Sequence, residues 1–176
     1  AVRMNEPLDK VKKLGHLYYD IRSGLSAAKT PQEYGAFPFD PYSHTPAHSG
    51  AQQPGMTGQV KEEILTRFGE LGCFVQNEKI LFDTSLLRQS EFIDEPKLFS
   101  YYNFKAELKE LQIEENQLAF TYCQVPIIYT LTDKKCSIGL VLENGKSLKV
   151  EGKEIDKEMS DAIFSRTGKI RLIHFN

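Results

Sequence analysis

The sequence predicts an α+β fold that is mainly β: an antiparallel β-sandwich preceded by two N-terminal helices and a long ordered loop. Three observations predict it. Before residue 72, apolar residues recur at steps of three and four. Between residues 26 and 56, prolines and aromatic residues crowd one stretch without a regular period. After Gly72, short apolar alternations are separated by tight-turn signals. The expected boundaries are 1–72, a helical segment with its loop that reads as the end of a larger helical domain, and 73–176, the sandwich domain.

Near residues 7–25, Leu8, Val11, Leu14, Tyr18, Ile21 and Leu25 fall on one helical face. Pro7 suits a first turn and Gly24 a stop. Packing of this stripe on the rest of the domain is the favoured use; docking on a further domain is the sharper alternative. The next stretch holds Pro31, Pro38, Pro41, Pro46 and Pro54 among Tyr34, Phe37, Phe39, Tyr42, His44 and His48. Proline removes the N–H that regular structure needs, and loops this long are usually functional or disordered. The aromatic content favours an ordered loop that packs on something. Residues 57–71 read as a second helix with Val60, Ile64, Leu65, Phe68 and Leu71 as its stripe and Gly72 as its stop. Lys61, Glu62, Glu63, Arg67 and Glu70 are expected mostly to face solvent or a partner.

Strand register follows from burial, because a slip of one residue turns every side chain to the other face. A two-residue loop at Asn77-Glu78 pairs Val75 with Ile80 and Cys73 with Phe82. A similar loop at Glu115-Asn116 would set Ile113 opposite Leu118 and Leu111 opposite Phe120. At Asn144-Gly145 a two-residue turn would split the apolar residues between faces. A three-residue loop, Glu143-Asn144-Gly145, pairs Leu140 with Leu148 and Ile138 with Val150, with Gly145 in the left-handed position. From Leu118 to Leu131 the apolar parity shifts, which predicts a bulge or bend near Cys123-Gln124 that leaves Pro126 unpaired. Residues 169–175 give a last strand.

Composition narrows the function classes. Of 176 residues, 40% are hydrophobic and 26% charged, enough to bury a core. Lys and Arg number 22 against 24 Asp and Glu, a net charge of -2, so there is no basic excess for a nucleic-acid backbone. No apolar run approaches the roughly 20 residues that span a bilayer, and no signal-peptide pattern opens the chain, so a soluble protein of unassigned compartment is expected. The chain starts at Ala1 rather than Met, as expected of a processed protein or a piece of a longer one. Cys73, Cys123 and Cys136 form no CxxC pair and read as small buried apolar residues.

The chemical motifs are sparse. Gly145-Lys146-Ser147 echoes the end of a P-loop, but Leu140 stands where the first glycine belongs and the tripeptide lies in a hairpin. His44 and His48 have i, i+4 spacing, yet Pro46 between them opposes a helix, so no metal site and no cofactor is expected. Glu62 and Glu63 lack an assignable facing carboxylate, so no catalytic pair can be named. The segment Tyr42 to Gln59 differs: it interleaves aromatic faces with hydroxyls, amides and imidazoles, which can stack on sugar C–H faces and hydrogen-bond their hydroxyls. The plain alternative is a self-packed loop bridging helices and sheet, which the residues alone favour.

The run Asp40-Pro41-Tyr42-Ser43-His44-Thr45-Pro46, followed by Gly50-Ala51-Gln52-Gln53-Pro54-Gly55-Met56-Thr57-Gly58-Gln59-Val60-Lys61-Glu62-Glu63, resembles the closing part of large bacterial glycoside hydrolase- and phosphorylase-like proteins, in which an (α/α)6 toroid precedes a C-terminal β-sandwich. Ile163-Phe164-Ser165-Arg166-Thr167-Gly168-Lys169-Ile170 is similar to the end of such a sandwich. The resemblance implies a pocket lined by loops at helix ends, with Tyr42, His44, Gln52, Gln53, Gln59 and Glu62 as sugar contacts, joined by His48 of the same segment. A toroid needs about a dozen helices and this chain shows two, so no catalytic acid carries over.

Three functions follow: a C-terminal accessory domain or fragment of a sugar-processing enzyme, inactive alone and made to meet a helical catalytic domain or another subunit; a stand-alone carbohydrate-binding or protein-interaction module; or a small independent enzyme. Carbohydrate is the expected ligand; nucleic acid and membrane are not expected partners. Alanine at Gln52, Gln53 or His44 is expected to alter sugar handling of a full-length protein more than folding of this chain.

Overall fold

The computed structural model describes residues 6–24 and 57–176; within the two helices, the side chains of residues 21–24 and 57–63 fall outside that description. The long loop expected at 26–56 also lies outside the described residues. The chain divides into two compact units, 1–71 and 72–176. Together they are α+β, with strands predominating.

In the first unit, α1 spans Leu8–Gly24 and α2 spans Thr57–Leu71, close to the expected bounds. The Pro7 carbonyl accepts from the Lys10 and Val11 amides, so the proline opens α1 at a place where its missing N–H costs nothing. The buried line of α1 is rotated from the expected one. Val11 and Gly15 are buried and Tyr18 half-buried, whereas Leu8, Leu14 and Leu17 are exposed. On α2, Ile64 and Leu65 are likewise exposed, while Glu70, expected to face outward, is buried. Its carboxylate explains this: Tyr18 Oη donates to Glu70 Oε1 at 2.6 Å and Arg67 Nη1 lies 3.1 Å from Oε2. A buried carboxylate is tolerable when donors replace its lost water.

The second unit opens at Gly72, whose φ of +71° and whose missing Cβ, which would stand 1.7 Å from the Asp83 carbonyl oxygen, admit no other residue without a shift. The first hairpin pairs β1, Cys73–Gln76, with β2, Lys79–Phe82, in the expected register, Val75 against Ile80 and Cys73 against Phe82. Asn77 and Glu78 both have positive φ, as a type I′ turn requires, even though Glu78 has a Cβ. The Glu78 carboxylate pairs with Lys157.

A second two-stranded sheet joins β3, Lys97–Tyr102, to β4, Leu108–Ile113. This overturns the hairpin expected at Glu115-Asn116. The edge of β4 is taken by β3 along six residues. Asn116 turns away instead, its amide donating to the Ile93 carbonyl and its carbonyl accepting from Leu131.

The main sheet has five strands in the order β5-β6-β9-β7-β8: β5 is Gln117–Tyr122, β6 Val125–Thr130, β7 Ser137–Leu142, β8 Ser147–Glu151 and β9 Ile170–Phe175. The parity shift read as a bulge at Cys123-Gln124 is a full reversal of the chain. Tyr122 pairs with Val125 and Phe120 with Ile127 across a two-residue turn, so even-numbered residues face the same way as odd-numbered partners. Pro126 is opposite Thr121 and buried, and pairing with β9 begins only at Ile127. The three-residue loop before β8 holds as expected: Leu140 pairs with Leu148, Ile138 with Val150, and Gly145 has φ +78°.

The sheet is not wholly antiparallel. After β8 the chain crosses through α3, Lys157–Phe164, a helix the periodicity did not reveal, and β9 enters between β6 and β7, parallel to β6 and antiparallel to β7. A parallel neighbour needs such a crossover. Asp156 caps α3 by accepting from the Met159 amide at 2.8 Å. Ser160, fully buried, ties the helix to β2: its Oγ accepts from the Ile80 amide at 3.0 Å and donates to the Ile155 carbonyl.

The core lies on one face of this sheet. Ile127, Tyr129, Ile138, Leu140, Ile173 and Phe175 are buried there, and Phe82 of β2 meets Tyr129 edge-on at 5.8 Å and Phe175 at 5.2 Å. Burying side chains of this size contributes roughly 1.5–3 kcal/mol each. Among the described residues no helix is long and apolar enough to cross a membrane.

Candidate functional site

A pocket of about 240 Å³ opens in the β-rich unit. Several separate segments build it. On β3 and β4, Tyr101 and Lys109 are cross-strand partners, so both side chains leave the hairpin on one face. Tyr101 continues a stacked pair with Phe99, centroids 5.9 Å apart and planes 11° from parallel. The turn that follows β3 adds Asn103 and Phe104, the β5–β6 turn adds Cys123 and Gln124, and the end of α3 and start of β9 add Arg166, Gly168 and Arg171.

Local backbone chemistry fixes these groups. The Asn103 side chain accepts from the Lys105 and Glu107 amides and donates to the Glu107 carboxylate, which closes the hairpin turn with Ala106 at φ +56°. Gln124 Nε2 donates to the Asn103 carbonyl at 3.3 Å, binding one turn to the other. Cys123, Gln124 and Arg166 all hold positive φ with a Cβ present, a conformation that costs about 1–2 kcal/mol per residue. Such outliers gather where the surroundings over-determine the chain. Gly168 is required: at φ +76° an added Cβ would stand 2.4 Å from the Phe104 ring. The ring thereby lies flush on the chain, and the Arg171 guanidinium sits over it, 5.4 Å from its centroid.

The electrostatics of the lining are one-sided. Lys109, Arg166 and Arg171 contribute cations, and among the described residues that line the pocket there is no carboxylate. Two of the cations are paired at the rim, Lys109 with Glu107 at 3.0 Å and Arg171 with Glu143 at 3.0 Å. Both acids are well exposed, and such pairs are worth about 0–1 kcal/mol. The Asn103 amide, followed by Lys109, holds the Glu107 carboxyl below its ordinary range. Arg171 Nε is buried and has no hydrogen-bond partner among the described residues. The Cys123 thiol is pushed up by burial, with the positive charge of Arg166 acting the other way. Cys73 is pushed up to about 12, by burial and then by Cys123, so it is a packing residue rather than a nucleophile.

The residues the sequence nominated fall outside what is described. Tyr42, His44, His48, Gln52 and Gln53 lie outside the described residues, as do the side chains of Gln59 and Glu62, whose backbone belongs to α2. Gly145-Lys146-Ser147 lies in the β7–β8 hairpin, where no helix begins. The pocket residues were missed because they come together only in the fold. The parity shift at Cys123-Gln124 pointed toward one segment, and the alternation of Phe99 and Tyr101 is a signal that could have found another. Chemically, the pocket can stack a small ring on aromatic faces and hold an acceptor or an anion with guanidinium and ammonium donors. Compared with family models and with curated proteins, the chain matches none.

Proposed function

We propose that this chain is the C-terminal accessory part of a larger, bacterial-type carbohydrate-processing protein of the glycoside hydrolase-like kind, without catalysis of its own, and that the β-rich unit holds a sugar in the pocket beside Tyr101 and Phe104. The observation that carries the reading is the composition of that lining. It offers an aromatic face and cationic donors and, among the described residues, no pair of facing carboxylates, which suits retention of a sugar better than cleavage of its linkage. At about 240 Å³ the space lies below the roughly 300–1,000 Å³ of sites for drug-sized ligands, so its occupant is about one ring in size.

In this reading the β1–β2 hairpin and the five-stranded sheet are the two layers of a sandwich, with Phe82, Tyr129 and Phe175 between them. The exposed Leu8, Leu14 and Leu17 on α1 and Ile64 and Leu65 on α2 support helices that meet a helical catalytic domain. The alternative, a stand-alone carbohydrate-binding or protein-interaction module, draws on the stacked Phe99-Tyr101 pair of the two-stranded sheet.

The test is an amide-shift titration of the intact chain with a panel of neutral and acidic methyl glycosides. Shifts clustered at Tyr101–Lys105, Cys123–Val125 and Arg166–Arg171 are expected for at least one sugar. A panel that moves none of these amides contradicts the proposal.

A further inference from the structure

Resting on the reading of the pocket as a sugar site, we infer that it selects a ring bearing a carboxylate, a hexuronate, with the acid group taken by Arg166 and Arg171 and the ring lying against Tyr101. Three features lead to this chemistry. The first is the sign of the lining: cations from three separate segments converge on one small volume, and no acid shares it among the described residues. A neutral sugar needs mixed donors and acceptors, and a guanidinium offers donors only.

The second is the state of the two arginines. Arg171 is half-buried, its plane carried on the Phe104 ring, and its Nε is enclosed without a partner. Nε has no access to solvent, so an acid group in the pocket would meet the outer Nη edge of the guanidinium, a donor set that suits a carboxylate. Its ion pair with the exposed Glu143 engages Nη2, and among the described residues Nη1 makes no hydrogen bond. Arg166 is exposed at the end of α3, and among the described residues it makes no ion pair.

The third is the aromatic surface. A free inorganic anion or a simple carboxylate would have no use for Tyr101, whereas a pyranose has a C–H face to lay on it; the Phe104 ring already carries Lys105 Nζ at 5.6 Å and the Arg171 guanidinium at 5.4 Å and serves to hold the cations. The pocket's size limits that occupant to about one ring. Hydrogen bonding from Gln124, whose Nε2 is engaged with the Asn103 carbonyl and whose Oε1 remains an acceptor, can meet a ring hydroxyl.

Calorimetric titration of the intact chain with methyl glucuronide and methyl galacturonide, with the matching neutral glycosides and with acetate, decides the matter. At least one uronide is expected to bind at least ten times tighter than its neutral counterpart and than acetate. Replacing Arg166→Gln or Arg171→Gln is expected to weaken the uronide about tenfold or more, the loss of one charge-assisted hydrogen bond, and to weaken the neutral glycoside by a smaller factor, so that the preference for the acid shrinks. Arg166 is exposed, so its variant keeps the test valid if Arg171→Gln lowers the melting temperature. Equal binding of uronide and neutral glycoside overturns the acid preference and leaves the sugar site standing. Equal binding of uronide and acetate shows a plain anion site, which overturns both readings, as does binding of none of the three.

Discussion

On α1 and α2 the large aliphatic side chains reach solvent, Leu17 at 55% exposure and Leu65 at 72%, whereas in the β-rich unit Ile127, Ile138 and Ile173 are at 0%. The β-rich unit exposes large apolar side chains too, Leu98 and Leu108 among them, but it encloses a core beside them, whereas on α1 and α2 the buried apolar side chains, among those described, are Val11 and Leu71. A closed core explains itself, because its apolar surface has already left water. Exposed leucines along two helices do not, and they are what the proposed larger helical domain accounts for. The helical unit is thus read by what it offers outward, and the β-rich unit by what it encloses: a core on one face of the sheet and a small cationic pocket beside it.

The contrast can be broken most directly by truncation. Ile173→Ala or Ile127→Ala should cost about 2–5 kcal/mol, as cavities in a packed core do. Leu17→Ala and Leu65→Ala should stay within about 0.5 kcal/mol. Urea denaturation of the four variants, followed by circular dichroism, checks this; comparable losses at Leu17 and Ile173 would mean that the helix leucines are already packed.

A pair of smaller substitutions sharpens the account of the β-rich unit. Ser160→Ala strands the buried Ile80 amide and should cost about 1–3 kcal/mol. Tyr129 Oη is buried without a partner among the described residues, so Tyr129→Phe should be neutral or stabilising by about 1 kcal/mol. Opposite signs are the expected outcome in the same denaturation assay. A loss at Tyr129→Phe would reveal an acceptor for that hydroxyl.

The smallest effect is a pH dependence. Burial lowers the His174 pKa from its ordinary 6.5, so the fold favours the neutral imidazole. The unfolded chain therefore takes up the proton first. Stability from this group is fully present above about pH 6.5 and declines as pH falls toward the folded value. The melting temperature should drop between pH 7.5 and 5.5, and His174→Gln should flatten the slope. An equal slope in the variant would assign the effect to another group. The low pKa of Glu107 acts at more acid pH, since its stabilising effect is lost only as pH falls below the ordinary 4.5.

How much of this was legible in the sequence differs between elements for physical reasons. Helix periods and the stops at Gly24 and Gly72 are local signals, and both helices fall where they point. Registers at Asn77-Glu78 and Glu143-Asn144-Gly145 followed from burial and the turn between neighbours in sequence. The turn at Cys123-Gln124 was hidden because neither residue is glycine, although the parity shift recorded it. The Glu115-Asn116 hairpin failed because β4 pairs with β3 and β5 with β6, partners that the burial pattern of the two adjoining runs does not specify. The parallel insertion of β9 depends on α3, which is amphipathic but, at eight residues, spans little more than two turns, too short a run to count a period against neighbouring strands. Of the candidate site, the parity shift marked Cys123-Gln124; β3 with Phe99 and Tyr101 was not read, and Arg166 and Arg171 could not be, since nothing local distinguishes a pocket arginine from a solvated one.

The central claim is that the Tyr101 face of the β3–β4 hairpin meets a sugar ring and the opposite face, where Tyr102 is exposed, does not. Saturation-transfer NMR on the intact chain with methyl glucuronide and methyl galacturonide tests it. The account predicts enhancement on the ring C–H protons of at least one of them that is abolished by Tyr101→Ala and retained in Tyr102→Ala. Equal enhancement in both variants, or none in the unaltered chain, contradicts it.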